Sequence, residues 1–251
     1  MRGAMARYVL VHGAFSGAWI WEGIAAALER AGHEVDAIDL PGSGADRSPV
    51  AEATLDNYAR RICDALGTDP EPAILVGHSM GGVAITQAAA RCRERIALLV
   101  FVAAFMPRDG QSLLDLTGLP EGADDQVQAS ITLDGEPPVA TMSDDALRNA
   151  TMMRCSEEQI QWAIARRRPQ PVVPFATPVS IAAGALDGLR RTYVHCSADR
   201  AIPPPLQLRM IRENPCVEVV EIATDHSPQL SAPEELLAAL ERFAALAAVA
   251  P

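Results

Sequence analysis

The segment Gly77–Gly81 reads Gly-His-Ser-Met-Gly and directly follows the apolar run Ala73–Val76. A G-x-S-x-G motif between a buried strand and a helix is a nucleophile elbow, a sharp turn that presents one serine hydroxyl where the helix begins. Glycine suits the turn because the absence of a Cβ lets strand and helix approach closely. The motif therefore requires a strand–turn–helix unit and marks Ser79 as the candidate nucleophile.

Short apolar runs alternate with helical patterns along most of the chain. The predicted strands are Tyr8–Val11, Val35–Leu40, Ala73–Val76, Ile96–Ala103, Arg191–Cys196 and Val217–Ile222. The predicted helices are Trp19–Ala31 before Gly32, a Thr54-capped helix to Leu66, Met80–Cys92, Pro205–Glu213 and a last helix opened by a capping box at Ser231–Glu234. This alternation predicts an α/β fold, a mostly parallel sheet of about six strands with helices on both faces.

Residues 107–178 break this rhythm, because they contain many turn residues and no strong buried strand. A capping box at Ser156–Gln159 predicts one helix within them, ended by Pro169. A segment of this length between two sheet strands is typical of a lid over an active site. We therefore predict a core domain of residues 1–106 and 179–251 and an inserted cap of residues 107–178.

The charge and the apolar content of the chain limit the kinds of partner that it is expected to bind. The net charge of −11 argues against nucleic acid and against anionic membrane surfaces. No apolar stretch is long enough to span a bilayer, and the N-terminus lacks the apolar region of a secretory signal, so we expect a cytoplasmic protein. The five cysteines show no C-x-x-C spacing, which predicts reduced, buried thiols and no metal site.

A serine needs a general base, and five histidines are available. His226 follows the last predicted strand, where a loop leaves the carboxyl edge of the sheet, and is the predicted base. His78 adjoins the nucleophile but should point elsewhere from the turn. His195 lies inside a strand and His33 in a surface loop, where structural roles are the simpler interpretation.

The acid that orients the base should lie between serine and histidine in the sequence. Asp199 follows the fifth predicted strand and is the first candidate, whereas Asp187 precedes that strand and is the second. Asp225 is adjacent to His226, and neighbours on one loop seldom face each other, so a turn or capping role is predicted for it.

The oxyanion of an acyl-transfer intermediate requires two backbone N–H donors. We predict Met80, which follows the nucleophile, and Ala14, in the loop after the first strand. That loop carries neither G-x-G-x-x-G nor G-x-x-x-x-G-K-[ST], so a nucleotide-binding role is disfavoured.

These features together resemble those of the α/β-hydrolases, in particular the branch that holds plant methylesterases, hydroxynitrile lyases and bacterial esterase relatives. The matching segments span nearly the whole chain: Val11–Ala14 with Gly17–Trp19, Asp39–Gly44, Gly77–Gly82, Phe101–Pro107, Ser197–Asp199 and Asp225–Pro228. The resemblance implies a Ser79–His226–Asp199 triad and ester hydrolysis without metal or cofactor, through an acyl-enzyme on Ser79.

Two positions separate this chain from the lyases of that branch. Those lyases resemble it but carry threonine and lysine where this chain has Gly13 and Ser227, so no cation is placed to hold departing cyanide. Some plant esterases carry histidine at the position of Ser16. The resemblance therefore favours hydrolysis of a small-to-medium, mostly apolar carboxylic ester.

Residues predicted to contact this substrate are Phe15, His78, Met152 and Trp162, although a cap residue such as Trp162 could equally pack within the cap's own small core. Three alternatives stay open: a thioesterase or lactonase, a lyase or cyclase on the same fold, and a binding protein without activity. The sequence also leaves open whether the protein is a monomer or a homodimer.

Overall fold

The computed structural model of the chain describes residues 5–69 and 71–248. Residues 1–4, where the sequence predicts no secretory signal, lie outside them, as do residues 70 and 249–251. The strands in this part of the chain are β1 (Arg7–Val11), β2 (Glu34–Ile38), β3 (Ala73–His78), β4 (Ile96–Val102), β5 (Ile131–Asp134), β6 (Val139–Met142), β7 (Gln170–Pro171), β8 (Arg191–Cys196) and β9 (Glu218–Ile222).

Six of these strands form one parallel sheet in the order β2-β1-β3-β4-β8-β9. This confirms the predicted α/β fold and all six predicted strands. β3 continues two residues beyond the predicted end at Val76, because Gly77 still pairs with Val11 of β1 and with Phe101 of β4. The nucleophile motif therefore begins inside the central strand of the sheet.

Helices cover both faces of the sheet. They include α1 (Glu22–Ala31), α2 (Leu55–Leu66), α3 (Gly81–Cys92), α8 (Pro204–Glu213) and α10 (Pro233–Ala247). Buried side chains of α1 and α10 join one apolar cluster, and those of α2, α3 and α8 join the other. The inner strands β1, β3 and β4 are buried on both sides, which explains why they read as continuous apolar runs, whereas the edge strands β2 and β9 expose every second residue.

Two helix ends lie where the sequence predicts them, whereas the start of the last helix does not. Thr54 accepts the Asn57 N–H and caps α2, and Gly32 ends α1 in the left-handed conformation. The predicted capping box at Ser231 is wrong, because Ser231 ends a short helix, α9 (Pro228–Ser231), and its hydroxyl bonds to Asp225. Tertiary contacts to the loop after β9 outcompete the local cap.

The inserted segment, residues 107–178, forms small elements between β4 and β8. Its helices are α4 (Leu113–Thr117), α5 (Asp144–Ala146) with a π-helical turn at Leu147–Thr151, α6 (Glu157–Ile164) and α7 (Val173–Ala176). β5, β6 and β7 form a separate antiparallel sheet. Ser156 and Gln159 form the predicted capping box of α6, whereas this helix ends at Ile164, well before Pro169.

The prediction that all cysteines are reduced is wrong for one pair. A disulfide joins Cys63 of α2 to Cys92 of α3. The two helices pack side by side on one face of the sheet, so thiols that are 29 residues apart in the sequence meet in space. Spacing rules cannot detect such a pair, because it depends on helix packing. Cys155, Cys196 and Cys216 are free thiols.

Within the residues that the structure describes, no helix is both long and apolar enough to cross a membrane.

Candidate active site

Ser79 occupies the turn between β3 and α3. Its backbone φ is +55°, in the left-handed region that non-glycine residues rarely adopt. The turn is tight enough that a Cβ on Gly77 would come within 2.8 Å of the Gly81 carbonyl oxygen. The two motif glycines therefore permit the close strand–helix approach that holds Ser79 in this conformation.

His226 lies on the loop after β9 and faces Ser79. Its Nε2 is 3.0 Å from the Ser79 Oγ, and its Nδ1 is 2.8 Å from the Asp199 Oδ2. An ionised carboxylate can only accept, so Nδ1 carries the proton and Nε2 is free to accept the serine proton. Burial lowers the pKa of His226, but the carboxylates of Asp199, Asp225 and Asp125 together outweigh it, with Asp199 contributing most, and the net shift is upward from 6.5.

Asp199 follows β8 and is almost fully buried. Its Oδ1 accepts hydrogen bonds from the backbone N–H groups of Ala201 and Ile202, with N···O distances of 2.7 and 2.9 Å. Its Oδ2 accepts from Gln207 Nε2 at 3.1 Å as well as from His226. Four donors thus fix both oxygens, and a carboxyl group held this way keeps the imidazole in one orientation.

The other two acids considered from the sequence lie away from the His226 ring nitrogens. Asp187 is exposed in the loop before β8. Asp225 accepts the backbone N–H groups of Arg154 and Ser227 and the hydroxyl of Ser231. It therefore has the predicted turn-stabilising contacts.

His78 supports the base through its backbone. Its Nε2 donates to the His226 carbonyl oxygen at 2.8 Å, while its Nδ1 has no partner among the described residues. Burial and the neighbouring His226 ring keep the pKa of His78 well below its usual value. The neutral ring therefore anchors the loop that carries His226 without adding charge beside it.

The loop after β1 aims the Ala14 N–H by fixing the peptide group before it. His12 Nε2 accepts the Leu40 N–H at 3.1 Å, so its Nδ1 must carry the proton and donate to the Gly13 carbonyl at 2.7 Å. In a trans peptide, the Ala14 N–H points opposite to the Gly13 carbonyl. Neither Ala14 nor Met80 donates its N–H to another described residue.

The two peptide groups after Ala14 are held by residues of the inserted segment. The Phe15 N–H donates to Gln170 Oε1 at 3.4 Å, and the Phe15 carbonyl accepts the Arg168 N–H at 3.1 Å. The buried Gln170 side chain is itself fixed by a hydrogen bond to the Tyr58 hydroxyl at 3.1 Å. Two separate parts of the fold therefore determine the orientation of this loop.

A mostly apolar cavity of about 130 Å³ opens above Ser79 and His226. A cavity of this size accommodates a benzene-sized group. Core and inserted segment both line it, and the lining includes the predicted donors Ala14 and Met80 and the predicted contacts Phe15, His78 and Met152.

Trp162, also predicted to contact substrate, is not among the residues that line this cavity. Its indole packs edge-to-face against Trp19, with ring centroids 5.0 Å apart, and Trp19 in turn faces the cavity. Trp162 therefore packs against a residue outside the inserted segment, and its contact with substrate stays a prediction. An amphipathic helix pattern identifies a buried face but not which neighbour covers it.

Sequence reasoning missed three polar residues at this site: Asp125, which lines the cavity, and Gln170 and Gln207, which bond to the loop after β1 and to Asp199. None belongs to a motif, and only the fold brings them here. Among the described residues, no group of three His, Cys, Asp or Glu side chains is placed to hold a metal.

The chain belongs to the alpha/beta hydrolase family, whose family model matches residues 8–240. Within that family it belongs to a methylesterase-like branch. It is 35% identical to "Putative methylesterase 11, chloroplastic" of Arabidopsis thaliana over 91% of its own length, and it spans 61% of the length of that relative. It is 32% identical to "Methylesterase 7" of the same plant, over 95% of this chain and 96% of the relative.

Solved structures show the same fold over nearly the full chain. Polyneuridine aldehyde esterase superimposes with a TM-score of 0.85 at 26% identity, covering 96% of this chain and 99% of that one. Tomato methylketone synthase I complexed with 2-tridecanone gives a TM-score of 0.84 at 28% identity, covering 96% of this chain and 98% of that one.

Proposed function

We propose that this chain is a serine hydrolase that cleaves carboxylic esters through Ser79, His226 and Asp199. The observation that carries the proposal is the continuous hydrogen-bond chain from Ser79 Oγ through the imidazole to Asp199, at 3.0 and 2.8 Å, beneath an apolar cavity. Methylesterases and an esterase among the similar proteins support the same reaction class.

Acylation begins when Ser79 Oγ attacks the ester carbonyl carbon and His226 Nε2 takes the hydroxyl proton. The carbonyl oxygen becomes an oxyanion, which accepts hydrogen bonds from the backbone N–H groups of Ala14 and Met80. When the tetrahedral intermediate collapses, the C–O bond to the alcohol breaks, and His226 returns the proton to the leaving oxygen. Asp199 stabilises the transient imidazolium throughout.

Deacylation repeats these steps with water as the nucleophile. His226 takes one proton from water, the hydroxide attacks the acyl carbon, and the Ser79 Oγ leaves with the proton that His226 returns. The carboxylic acid is released and the enzyme regains its starting state. No metal or cofactor has a step in this sequence.

Residues 107–178 form the cap of the proposed enzyme, and residues 1–106 and 179–251 its core. Cap side chains such as Leu113, Met152 and Phe175 line the cavity together with Phe15 of the core. A cavity of this size and apolar character suits a small-to-medium ester whose acyl or alcohol part is mostly hydrocarbon.

A fluorophosphonate probe tests the proposal, because only an activated serine displaces fluoride from phosphorus. Intact mass should show one adduct on the wild type and none on Ser79→Ala. Ser16→Ala is the matched control, since Ser16 also lines the cavity but has no base beside it, and this variant should still be labelled. An adduct on Ser79→Ala, or none on the wild type, would refute the assignment.

A non-hydrolytic reaction is the second candidate, supported by the similarity to methylketone synthase I. The two candidates differ in whether water enters the product. Turnover of an ester in ¹⁸O-labelled water should give a carboxylic acid that carries one ¹⁸O atom. A product whose mass is unchanged in labelled water would favour the second candidate.

A further inference from the structure

One carboxyl group faces the cavity without a role in the proposed triad. Asp125 of the inserted segment is half-buried and lines the same cavity as Ser79 and His226. Its Oδ1 accepts the N–H groups of Val127 and Gln128, at 2.8 and 3.1 Å. Its Oδ2 accepts no hydrogen bond from any residue that the structure describes.

The turn that Asp125 caps does not require this second oxygen. Asparagine and serine cap such turns equally well with a single acceptor. A carboxylate oxygen in a mostly apolar cavity costs free energy unless a donor reaches it. The charged oxygen is therefore unexplained by local structure.

The other titratable side chains of the cavity are either engaged or, like His78, neutral. The Arg167 guanidinium donates to the Met142 and Ser143 carbonyls and pairs with Asp144. His78 and His226 make the contacts described above. Asp125 thus offers the uncommitted anionic acceptor of the cavity as lined by the described residues.

Asp125 is ionised under ordinary assay conditions. Burial raises its pKa to about 6, and the two backbone N–H groups limit that rise. At about pH 8 the carboxylate form dominates, because the solution lies well above this pKa. The cavity therefore presents a full negative charge to a bound substrate.

We propose that Asp125 is a specificity-determining residue, which selects esters whose acyl or alcohol part carries a hydrogen-bond donor, a hydroxyl or an ammonium group. The proposal rests on the proposed ester hydrolysis at Ser79. An apolar substrate would leave the carboxylate desolvated and unpaired, whereas a donor-bearing one pairs with it. A site built around a polar group discriminates against substrates that lack the complementary group far more strongly than a hydrophobic pocket discriminates by shape.

Methyl esters of ω-hydroxy, ω-amino and ω-methyl alkanoic acids, and acetate esters of the corresponding alcohols, of graded chain length, test this selection. The wild type should favour one donor series over its methyl isosteres by about 10- to 100-fold in kcat/KM at the best chain length. The series that is cleaved faster then shows whether the donor group of the preferred substrate is a hydroxyl or an ammonium group.

Asp125→Asn keeps the turn-capping Oδ1 but replaces Oδ2, which accepts no hydrogen bond from a described residue, with an amide N–H donor. It should abolish the preference for ammonium esters, because an amide N–H cannot accept from an ammonium group. Asp125→Ser keeps a capping hydroxyl but has no second oxygen, so it should abolish the preference for either donor series while the ω-methyl esters are still cleaved. Asp124→Asn is the matched control, because Asp124 is the adjacent residue, is exposed and does not line the cavity. Absence of any donor preference in the wild type, or its survival in both Asp125 variants, would overturn the proposal.

A binding measurement separates this proposal from the esterase proposal. Donor-bearing esters should raise the melting temperature of Ser79→Ala more than their isosteres do, and Asp125→Ser in that background should remove the difference. If the wild type cleaves no ester, ester hydrolysis fails, but this binding difference still decides the role of Asp125. An equal shift for donor-bearing and isosteric esters would overturn it.

Discussion

Replacing Asp199 with asparagine tests how the acid controls the tautomer of the base. The N–H groups of Ala201 and Ile202 both point at Oδ1, so the oxygen of the new amide must stay at that position. Rotating the amide would bring its N–H against two buried donors, at a cost of about 1–3 kcal/mol for each unsatisfied group. The amide nitrogen therefore replaces Oδ2 and faces His226 Nδ1.

A donor at that position requires His226 Nδ1 to accept, which transfers the ring proton to Nε2. Nε2 then cannot take the proton of Ser79, which lies 3.0 Å away. Gln207 Nε2 adds a second conflict, because it also donates toward the replaced oxygen. We expect kcat to fall by about 10⁴-fold, the effect of a wrong tautomer in Ser-His-Asp hydrolases, which corresponds to about 5.4 kcal/mol of activation free energy.

The assay compares initial rates on an ester that the wild type cleaves, with thermal unfolding of each variant as a check on folding. Asp187→Asn is the matched control, because this exposed acid lies outside the site and its loss should leave kcat unchanged. If folded Asp199→Asn keeps a kcat within about tenfold of the wild type, the tautomer argument is wrong and another carboxylate orients His226.

Three further outcomes are expected. The neutral form of His226 is the base and its pKa is raised above 6.5, so kcat/KM should decline as the pH falls through a value above 6.5; a decline centred below 6.5 would contradict the Asp199 effect. Gln170→Leu should lower kcat about tenfold with little change in KM, because the Phe15 N–H loses its acceptor and the loop that carries Ala14 becomes less rigid. An unchanged kcat would show that Gln170 is not needed to orient this loop. Replacing both Cys63 and Cys92 with serine should lower the free energy of unfolding by about 3–4 kcal/mol, because the disulfide closes a loop with a sequence separation of 29. Urea denaturation under non-reducing conditions measures this difference. Equal stability of the two proteins would indicate that the disulfide does not form.

Much of the fold could be predicted from the sequence, because buried parallel strands and capped helices leave local signals. The apolar run before Ser79 predicts the central strand, and Thr54 and Gly32 mark helix ends where the structure has them. The prediction at Ser231 failed, because its hydroxyl found a tertiary partner in Asp225. Local caps predict helix ends only where no distant group competes for the capping side chain.

The residues of the candidate site likewise divide into those that the sequence predicts and those that only the fold brings together. Ser79, His226 and Asp199 each follow a strand of the parallel sheet, and strand ends in such a sheet converge at one edge, so their order along the chain already predicts their proximity. The sequence alone therefore determined the sheet, the class of fold and the candidate residues that local motifs and strand order identify. Only the tertiary structure decided which side chains surround them: Asp125, Gln170 and the paired cysteines come from segments that approach through packing, and no local pattern records such contacts.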